Sequence, residues 1–202
     1  MTIICGVTVA ILPIYLYGNE VLKKKAKKVA EVTDADIKLV KDMFETMHES
    51  NGIGLAANQV GELKQILVVD ISDMEAGEGT KPMVVINPEI VDEEGEWEME
   101  EGCLSIPEVR EKVWRAEKIR LKYNDINMND CEVEADGLLA RVLLHEIDHL
   151  NGVLFLDRLS STKRTLLRSR LKKISKGDVE TQYEVVIAGE PKSKIKSKKI
   201  VL

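Results

Sequence analysis

The sequence predicts an α+β fold, in which mixed or antiparallel sheets pack around a central helix and a further helix lies near the C-terminus. Segments with helical periodicity and segments with strand-like periodicity are mixed along the chain. They lack the regular β–α–β alternation that is typical of parallel sheets. The length of 202 residues is that of about one domain with a single sizeable core.

The first 17 residues carry no charge and are mostly apolar. The run is too short to span a bilayer, Pro13 interrupts it, and the lysines follow it, whereas a secretory signal carries positive charge before its apolar run. We therefore expect no membrane anchor, a disordered leader over residues 1–10 and a short buried strand over residues 11–17.

Three helices are predicted from capping residues and apolar spacing. Thr33 with Asp36 is typical of a helix start, and the turn signature at 51–54 ends that helix. Asp136 precedes a second helix over residues 137–150, with a glycine two residues beyond it. The third helix is expected over residues 162–174, before a lysine-rich mobile tail over residues 191–202.

The strands are predicted from short apolar or alternating runs. They cover residues 64–71, 83–87, 89–98, 112–123, 131–134 and 182–188.

Composition narrows the function classes. The apolar fraction of 44% and the charged fraction of 32% are ordinary for a globular protein. The formal net charge of −6 gives no overall basic footprint, so we expect no DNA partner. The three cysteines are far apart and contain no C-x-x-C pair, which favours a reducing, cytoplasmic setting.

The central chemical signal is the run His145-Glu146-Ile147-Asp148-His149. Residues four apart lie on one face of a helix, so the two imidazoles can bind one metal ion, and Glu146 between them can act as a base on a water molecule. Leu138 and Val142 share that stripe, so the histidines are expected to face inwards. The competing interpretation is a surface helix with incidental histidines.

A catalytic metal of this kind needs a third protein ligand. Metzincin proteases supply a histidine six residues after the second one, but Phe155 stands there. Glu180 and Glu184 are downstream alternatives in a weakly organised region. Cys103, in Glu-Gly-Cys-Leu-Ser, is the best candidate because a thiolate binds iron and zinc well. Taken alone, Cys103 would be interpreted as a small buried hydrophobe.

A glycine-containing turn, Gly52-Ile53-Gly54-Leu55-Ala56-Ala57-Asn58-Gln59, is the third notable segment. Its pattern is not that of a phosphate loop. The amide of Gln59 could stabilise an oxyanion, and a plain surface glutamine is an equally good interpretation.

Together, G-x-G-L-A-A-x-Q, E-G-C-L-S and H-E-x-D-H, in this order, resemble the three signature motifs of the peptide deformylases. The resemblance runs from about residue 11 to about residue 183, which implies a single catalytic domain over 11–190. Leu144 stands where many members have glutamine, and both termini extend beyond the family pattern.

The resemblance implies that Cys103, His145 and His149 bind one divalent metal, with water in the fourth position. Ferrous iron is the expected native ion, and zinc, nickel or cobalt can substitute. The implied reaction removes the N-formyl group from the initiator methionine of new polypeptides and releases formate. Glu146 would move the proton, and the side chain of Gln59 and the backbone N–H of Leu104 would hold the oxyanion.

The resemblance also implies a substrate site. The backbone of Ile53 and Gly54 would pair with the substrate chain, and the methionine side chain would lie near Gly52, Arg110, Leu138 and Val142. For Leu138 and Val142 core packing is an equally valid interpretation, and for Arg110 a solvated strand position.

Other polar and charged residues have expected roles as well. Glu101 could orient a ligand or pair with Arg115, but we expect a solvated charge. Asp148 is expected to fix its helix, and His48 to lie on the surface. The third helix is basic, which fits docking on ribosomal RNA or simply a solvated face. The basic residues of that helix are Lys163, Arg164, Arg168, Arg170, Lys172 and Lys173.

Two other functions remain open at this point. One is an H-E-x-x-H protease with a different third ligand. The other is a metal-stabilised or ribosome-binding protein without turnover, which Glu146 disfavours because a closed structural site needs no uncoordinated base.

Overall fold

The structure is a computed structural model that describes residues 3–4 and 7–189. Within these residues the α-helices are α1 (Asp34–Glu49), α2 (Gly137–Leu150) and α3 (Ser161–Ser175). The strands are β1 (Ile3–Ile4), β2 (Val7–Thr8), β3 (Ile14–Tyr15), β4 (Gly54–Ala56), β5 (Ile66–Val69), β6 (Met83–Glu94), β7 (Trp97–Cys103), β8 (Ile106–Arg115), β9 (Lys118–Asn124), β10 (Asp130–Asp136) and β11 (Val185–Val186). The predicted α+β class is confirmed.

An antiparallel five-stranded sheet carries one face of the main core. Its strand order is β10-β9-β6-β5-β4, so β4 is an edge strand. All four residues of β5 are buried, and Leu67 and Leu121 of the sheet belong to one apolar cluster with Leu143 and Ile147 of α2. This packing holds α2 against the sheet beside the β4 edge.

Helix α2 is the central helix, and its bounds are those predicted. Eleven of its 14 residues, Ala140 to Leu150, are buried. Asp136 occupies the N-cap position, although its side chain makes no capping hydrogen bond. After the helix, Gly152 has φ +73°, and a Cβ there would lie 2.5 Å from the Lys23 carbonyl oxygen. Only glycine fits this close approach, which ends the helix where the sequence predicts.

Helix α1 begins with the predicted capping residues. The Thr33 side chain accepts from the Asp36 N–H, and the Asp36 side chain accepts from the Thr33 N–H. This reciprocal capping box satisfies two of the free N–H groups at the helix start. Lys64 also contacts the buried Asp36 carboxylate.

The strands between residues 83 and 124 differ from the prediction in where they break. Residues 83–94 form one continuous strand, β6, rather than two strands around Pro88. Its register shifts between Ile86 and Glu89, and Asn87 has φ +51°. A proline cannot donate to the ladder, and the irregularity accommodates it without ending the strand. The stretch predicted as one strand over 112–123 is divided between β8 and β9.

Strands β7 and β8 form an antiparallel hairpin outside the large sheet. The pairing shifts at its tip, where Cys103 lies opposite Ile106. Leu104 and Ser105 therefore form a tight turn that projects Cys103 from the end of β7.

Two segments that are far apart in the sequence, β3 and β11, lie side by side. Strand β11 pairs in parallel with β3, after α3 has crossed the surface. Of the predicted leader, Ile3–Ile4 pairs with Val7–Thr8, and the Ala10 N–H donates to Asp42 at 3.0 Å. The predicted tail over 191–202 lies outside the described residues. No helix in the described ranges is long and apolar enough to cross a membrane.

Candidate metal centre and active site

Three potential metal ligands converge from two elements. His145 and His149 lie one turn apart on α2, both buried, with ring centroids 5.0 Å apart. Cys103 comes from the end of β7, and its Sγ lies 3.2 Å from His149 Nε2. One ligand atom from each of the three residues lies within 4.8 Å of the other two.

This donor set fits a catalytic metal. A thiolate and two imidazoles suit iron or zinc. Among the described residues the cluster contains these three ligands and no fourth, which is the arrangement of sites that keep one position for water or substrate. The spacing along α2 predicted that both histidines face inwards, and both are buried.

Glu101 orients one of the imidazoles. Its Oε2 lies 2.9 Å from His145 Nδ1, which leaves the Nε2 of that ring for a metal. Carboxylate partners of this kind fix the ring and make it a stronger ligand. The expectation that Glu101 is a solvated charge was wrong, because the residue is only 6% exposed.

Two buried arginines share the charge of Glu101. Arg115 donates to both of its oxygens, from Nε at 2.5 Å and from Nη2 at 2.9 Å, and Arg141 Nη1 donates at 2.9 Å. Although burial opposes it, His145 and Arg115 hold the pKa of Glu101 well below its usual range. Arg115 Nη1 also donates to Asp148 Oδ2 at 2.7 Å, and Asp148 accepts a further hydrogen bond from Arg158. Asp148 thus ties α2 to its surroundings, as expected.

The surroundings of the two imidazoles shift their pKa values in opposite directions. Burial alone would lower the pKa of His145, but hydrogen bonds with Cys103 and Glu101 outweigh burial and raise this pKa to about 10. Burial and the charge of His145 lower the pKa of His149 well below its ordinary value. In the absence of a metal, the proton of this pair therefore stays on His145.

Glu146 points into the site without being fully satisfied. The residue is 4% exposed, and its Oε2 has no hydrogen-bond partner among the described residues. Burial raises the pKa of Glu146 to about 7, although His145 and Arg115 act to lower it. A buried carboxyl group with a raised pKa and a free oxygen beside potential ligands is suited to accept and return a proton near neutral pH.

Gln59 lies beside the cysteine of the cluster. It is 2% exposed, so the surface interpretation was wrong. Its Oε1 accepts the Ala56 N–H at 2.8 Å, which directs Nε2 towards Cys103 Sγ at 3.6 Å and Ser105 Oγ at 3.4 Å. The amide thus presents a donor beside the thiol.

Cys103 and His145, but not His149, line a cavity of about 820 Å³, together with Glu146 and Gln59. All six predicted substrate residues line this cavity; they are Gly52, Ile53, Gly54, Arg110, Leu138 and Val142. Val142 is buried. Arg110 is 71% exposed at its side chain and lies 3.9 Å from Glu100. His48 is outside the cavity lining and bonds Asp70 at 2.9 Å.

Three contributors were not predicted from the sequence. Arg141 supports Glu101, the Asn58 side chain donates to the His149 carbonyl, and the Tyr183 hydroxyl donates to the Leu104 carbonyl at 2.7 Å. Their contacts join segments 40 or more residues apart. The sequence did contain one indication that Glu101 faces inwards. Residues two apart in a strand share a face, and Glu101 lies on the same, more buried face of β7 as Trp97 and Met99.

An H-E-x-x-H helix with a cysteine as a potential third ligand, an inward glutamate and an adjoining cleft is the arrangement of a metal-dependent hydrolase. The polypeptide deformylase family model matches residues 11–165. The chain belongs to this family. It is 53% identical to the peptide deformylase of Salinibacter ruber over 184 residues, which is 87% of this chain and 94% of that protein.

Solved structures agree with this assignment. The peptide deformylase of Legionella pneumophila has a TM-score of 0.76 at 43% identity, over 84% of this chain and 98% of that one. The enzyme of Ehrlichia chaffeensis in complex with actinonin also has a TM-score of 0.76, at 42% identity, over 82% and 98% of the two chains. The protein is thus a hydrolase that removes the N-formyl group from new polypeptides. The protease and the protein without turnover are set aside.

Proposed function

We propose that Cys103, His145 and His149 hold one ferrous ion, which zinc, nickel or cobalt can replace. The observation that carries this proposal is the convergence of one sulfur and two imidazoles, of which the Cys103 thiol and the His145 ring line the cavity beside Glu146 and Gln59. When bound, a divalent cation supplies Lewis-acid chemistry: it polarises a carbonyl group and lowers the pKa of water.

Glu146 is the proton carrier of the reaction. It takes a proton from the attacking water and passes it to the nitrogen of the new amino terminus when the formyl C–N bond breaks. A pKa of about 7 suits both steps, because the carboxyl group is then neither strongly acidic nor strongly basic at working pH. Its Oε2, which has no hydrogen-bond partner among the described residues, is available to receive the proton.

Two donors of this chain stabilise the tetrahedral oxyanion. These are Gln59 Nε2 and the backbone N–H of Leu104, which follows Cys103 in the turn. Gln59 is preoriented through its bond to the Ala56 N–H. Loss of one such donor raises the barrier by roughly 3 kcal/mol.

The peptide substrate binds along the β4 edge. This strand pairs with β5 on one side, and we assign the backbone of Ile53 and Gly54 to pairing with the substrate as an added strand. The methionine side chain enters beside Leu138 and Val142, with Gly52 and Arg110 at the wall. Gly54 must be glycine, because a Cβ there would lie 2.5 Å from Glu146 Oε1.

The partners follow from the substrate. N-formylmethionyl nascent chains emerge from ribosomes in the cytoplasm, where we place this enzyme, without a membrane or DNA partner. The basic face of α3 is proposed to dock near ribosomal RNA. Residues 11–190 are proposed as the catalytic domain, with 1–10 as a leader and 191–202 as a tail.

The test is formate release from formyl-Met peptides by protein loaded anaerobically with ferrous iron. We expect turnover by the wild type and none by Glu146→Ala, with metal retained in both proteins. Cys103→Ala should lose metal affinity, which separates this site from one built on other ligands. A wild type that holds iron and releases no formate would overturn the proposal.

A further inference from the structure

The chain beyond α3 returns to the active site and is fixed there by backbone pairing. The Ile14 N–H donates to the Glu184 carbonyl at 2.9 Å, and the Leu16 N–H donates to the Val186 carbonyl at 3.0 Å. Residues 180–183, just before this ladder, line the same cavity as Cys103 and Glu146. The family model ends at residue 165, so this wall lies outside the matched region.

Tyr183 makes the most specific contact of this segment. Its hydroxyl donates to the Leu104 carbonyl at 2.7 Å, across 79 residues of sequence. Its ring packs against the apolar cluster that also contacts Cys103. Thr181 Oγ1 donates to the Tyr183 carbonyl at 2.9 Å and shapes the turn before the ring.

The contacted turn is the one that carries the proposed oxyanion donor. It consists of two residues between β7 and β8, where the ladder register shifts. Ser105 is held separately, since its carbonyl accepts the Tyr17 N–H at 2.8 Å. Among the described residues, the Tyr183 hydroxyl is the side-chain group that donates to the Leu104 carbonyl. Without it, the peptide plane next to the Leu104 N–H loses its restraint on the cavity side.

We propose that Tyr183 is a positioning residue that holds the Leu104 turn so that the Leu104 N–H points at the oxyanion. The proposal rests on the proposed function, because it assigns Leu104 the role of an oxyanion donor. Tyr183 does not touch the reacting atoms; it acts through the Leu104 peptide. The group of this residue that matters is the hydroxyl, whereas the ring serves packing.

The test compares Tyr183→Phe with Tyr17→Phe in the full-length, zinc-loaded chain. Tyr17 is a matched control, because it packs against the same cluster and its hydroxyl makes no hydrogen bond to a described residue. Outright loss of an oxyanion donor lowers kcat by about 10² to 10³. A donor that is only loosened should cost less, so we expect kcat to fall about tenfold in Tyr183→Phe, with KM for a formyl-Met peptide unchanged.

A second readout does not depend on turnover. In amide NMR spectra of the zinc-loaded protein, Tyr183→Phe should shift the Leu104 and Ser105 resonances. In the formate assay, the control variant Tyr17→Phe should leave kcat unchanged. An active wild type with an unchanged kcat in Tyr183→Phe, or a loss confined to KM, would overturn the inference alone. A wild type that releases no formate would overturn the proposed function and the inference together.

Discussion

Neutralising Glu101 should damage both stability and the metal site. Its carboxylate accepts from Arg115, Arg141 and His145, and the side chains of the two arginines are 1% and 4% exposed. Breaking a buried ion network by removing one partner costs about 3–5 kcal/mol. Arg115 keeps Asp148 at 2.7 Å, so for Glu101→Gln we expect the lower end, about 3 kcal/mol.

Thermal unfolding of the metal-free protein measures this cost. For a chain of this size, 1 kcal/mol shifts Tm by about 2–4 °C, so Tm should fall by about 6–12 °C. Because the carboxylate also orients His145, zinc affinity should fall by about 10- to 100-fold.

The neighbouring residue provides a matched control. Glu100 has a side chain that is 57% exposed and lies 3.9 Å from Arg110. Glu100→Gln should therefore change stability by less than about 0.5 kcal/mol. If Glu101→Gln matched Glu100→Gln in both Tm and zinc affinity, the argument from the buried charge cluster would be refuted.

Three further outcomes are expected. Gly54→Ala should lower kcat/KM at least about tenfold in the formate assay, because the new Cβ would lie 2.7 Å from Val142 Cγ1 and 2.5 Å from Glu146 Oε1; wild-type activity would contradict this. The raised pKa of His145 stabilises the metal-free protein fully below pH 6.5, and this contribution is lost as pH rises towards 10. Urea midpoints measured with a chelator should fall across that window, and a flat profile would count against the shift. Zinc uptake at pH 7 should convert the His145 ring from its protonated to its neutral form, which the nitrogen resonances of the imidazole detect; a ring that is already neutral before zinc is added would contradict the shift.

Local signals made the helices and the histidine pair predictable. The spacing of His145 and His149 fixes their common face wherever the helix packs, and Gly152 marks its end. The Thr33–Asp36 capping box similarly defined the start of α1. Such features depend on residues a few positions apart, so the sequence alone contains them.

The rest of the site depends on long-range contacts. Glu101 lies 14 residues from Arg115 and 40 from Arg141, and Tyr183 lies 79 from Leu104. A charged side chain is ordinarily solvated, and only the folded hairpin shows that this one is buried among cations. The strand boundaries between residues 83 and 124 were also predicted wrongly. Pro88 was expected to separate two strands, but the irregular register around it lets β6 continue.

The ligand shell of the bound metal tests the central claim most directly. X-ray absorption of the zinc-loaded protein should show one sulfur at about 2.3 Å and two imidazole nitrogens at about 2.0–2.1 Å, with a lighter fourth neighbour. Loss of the sulfur shell in Cys103→Ala would complete the assignment. A wild-type spectrum without sulfur would contradict the account.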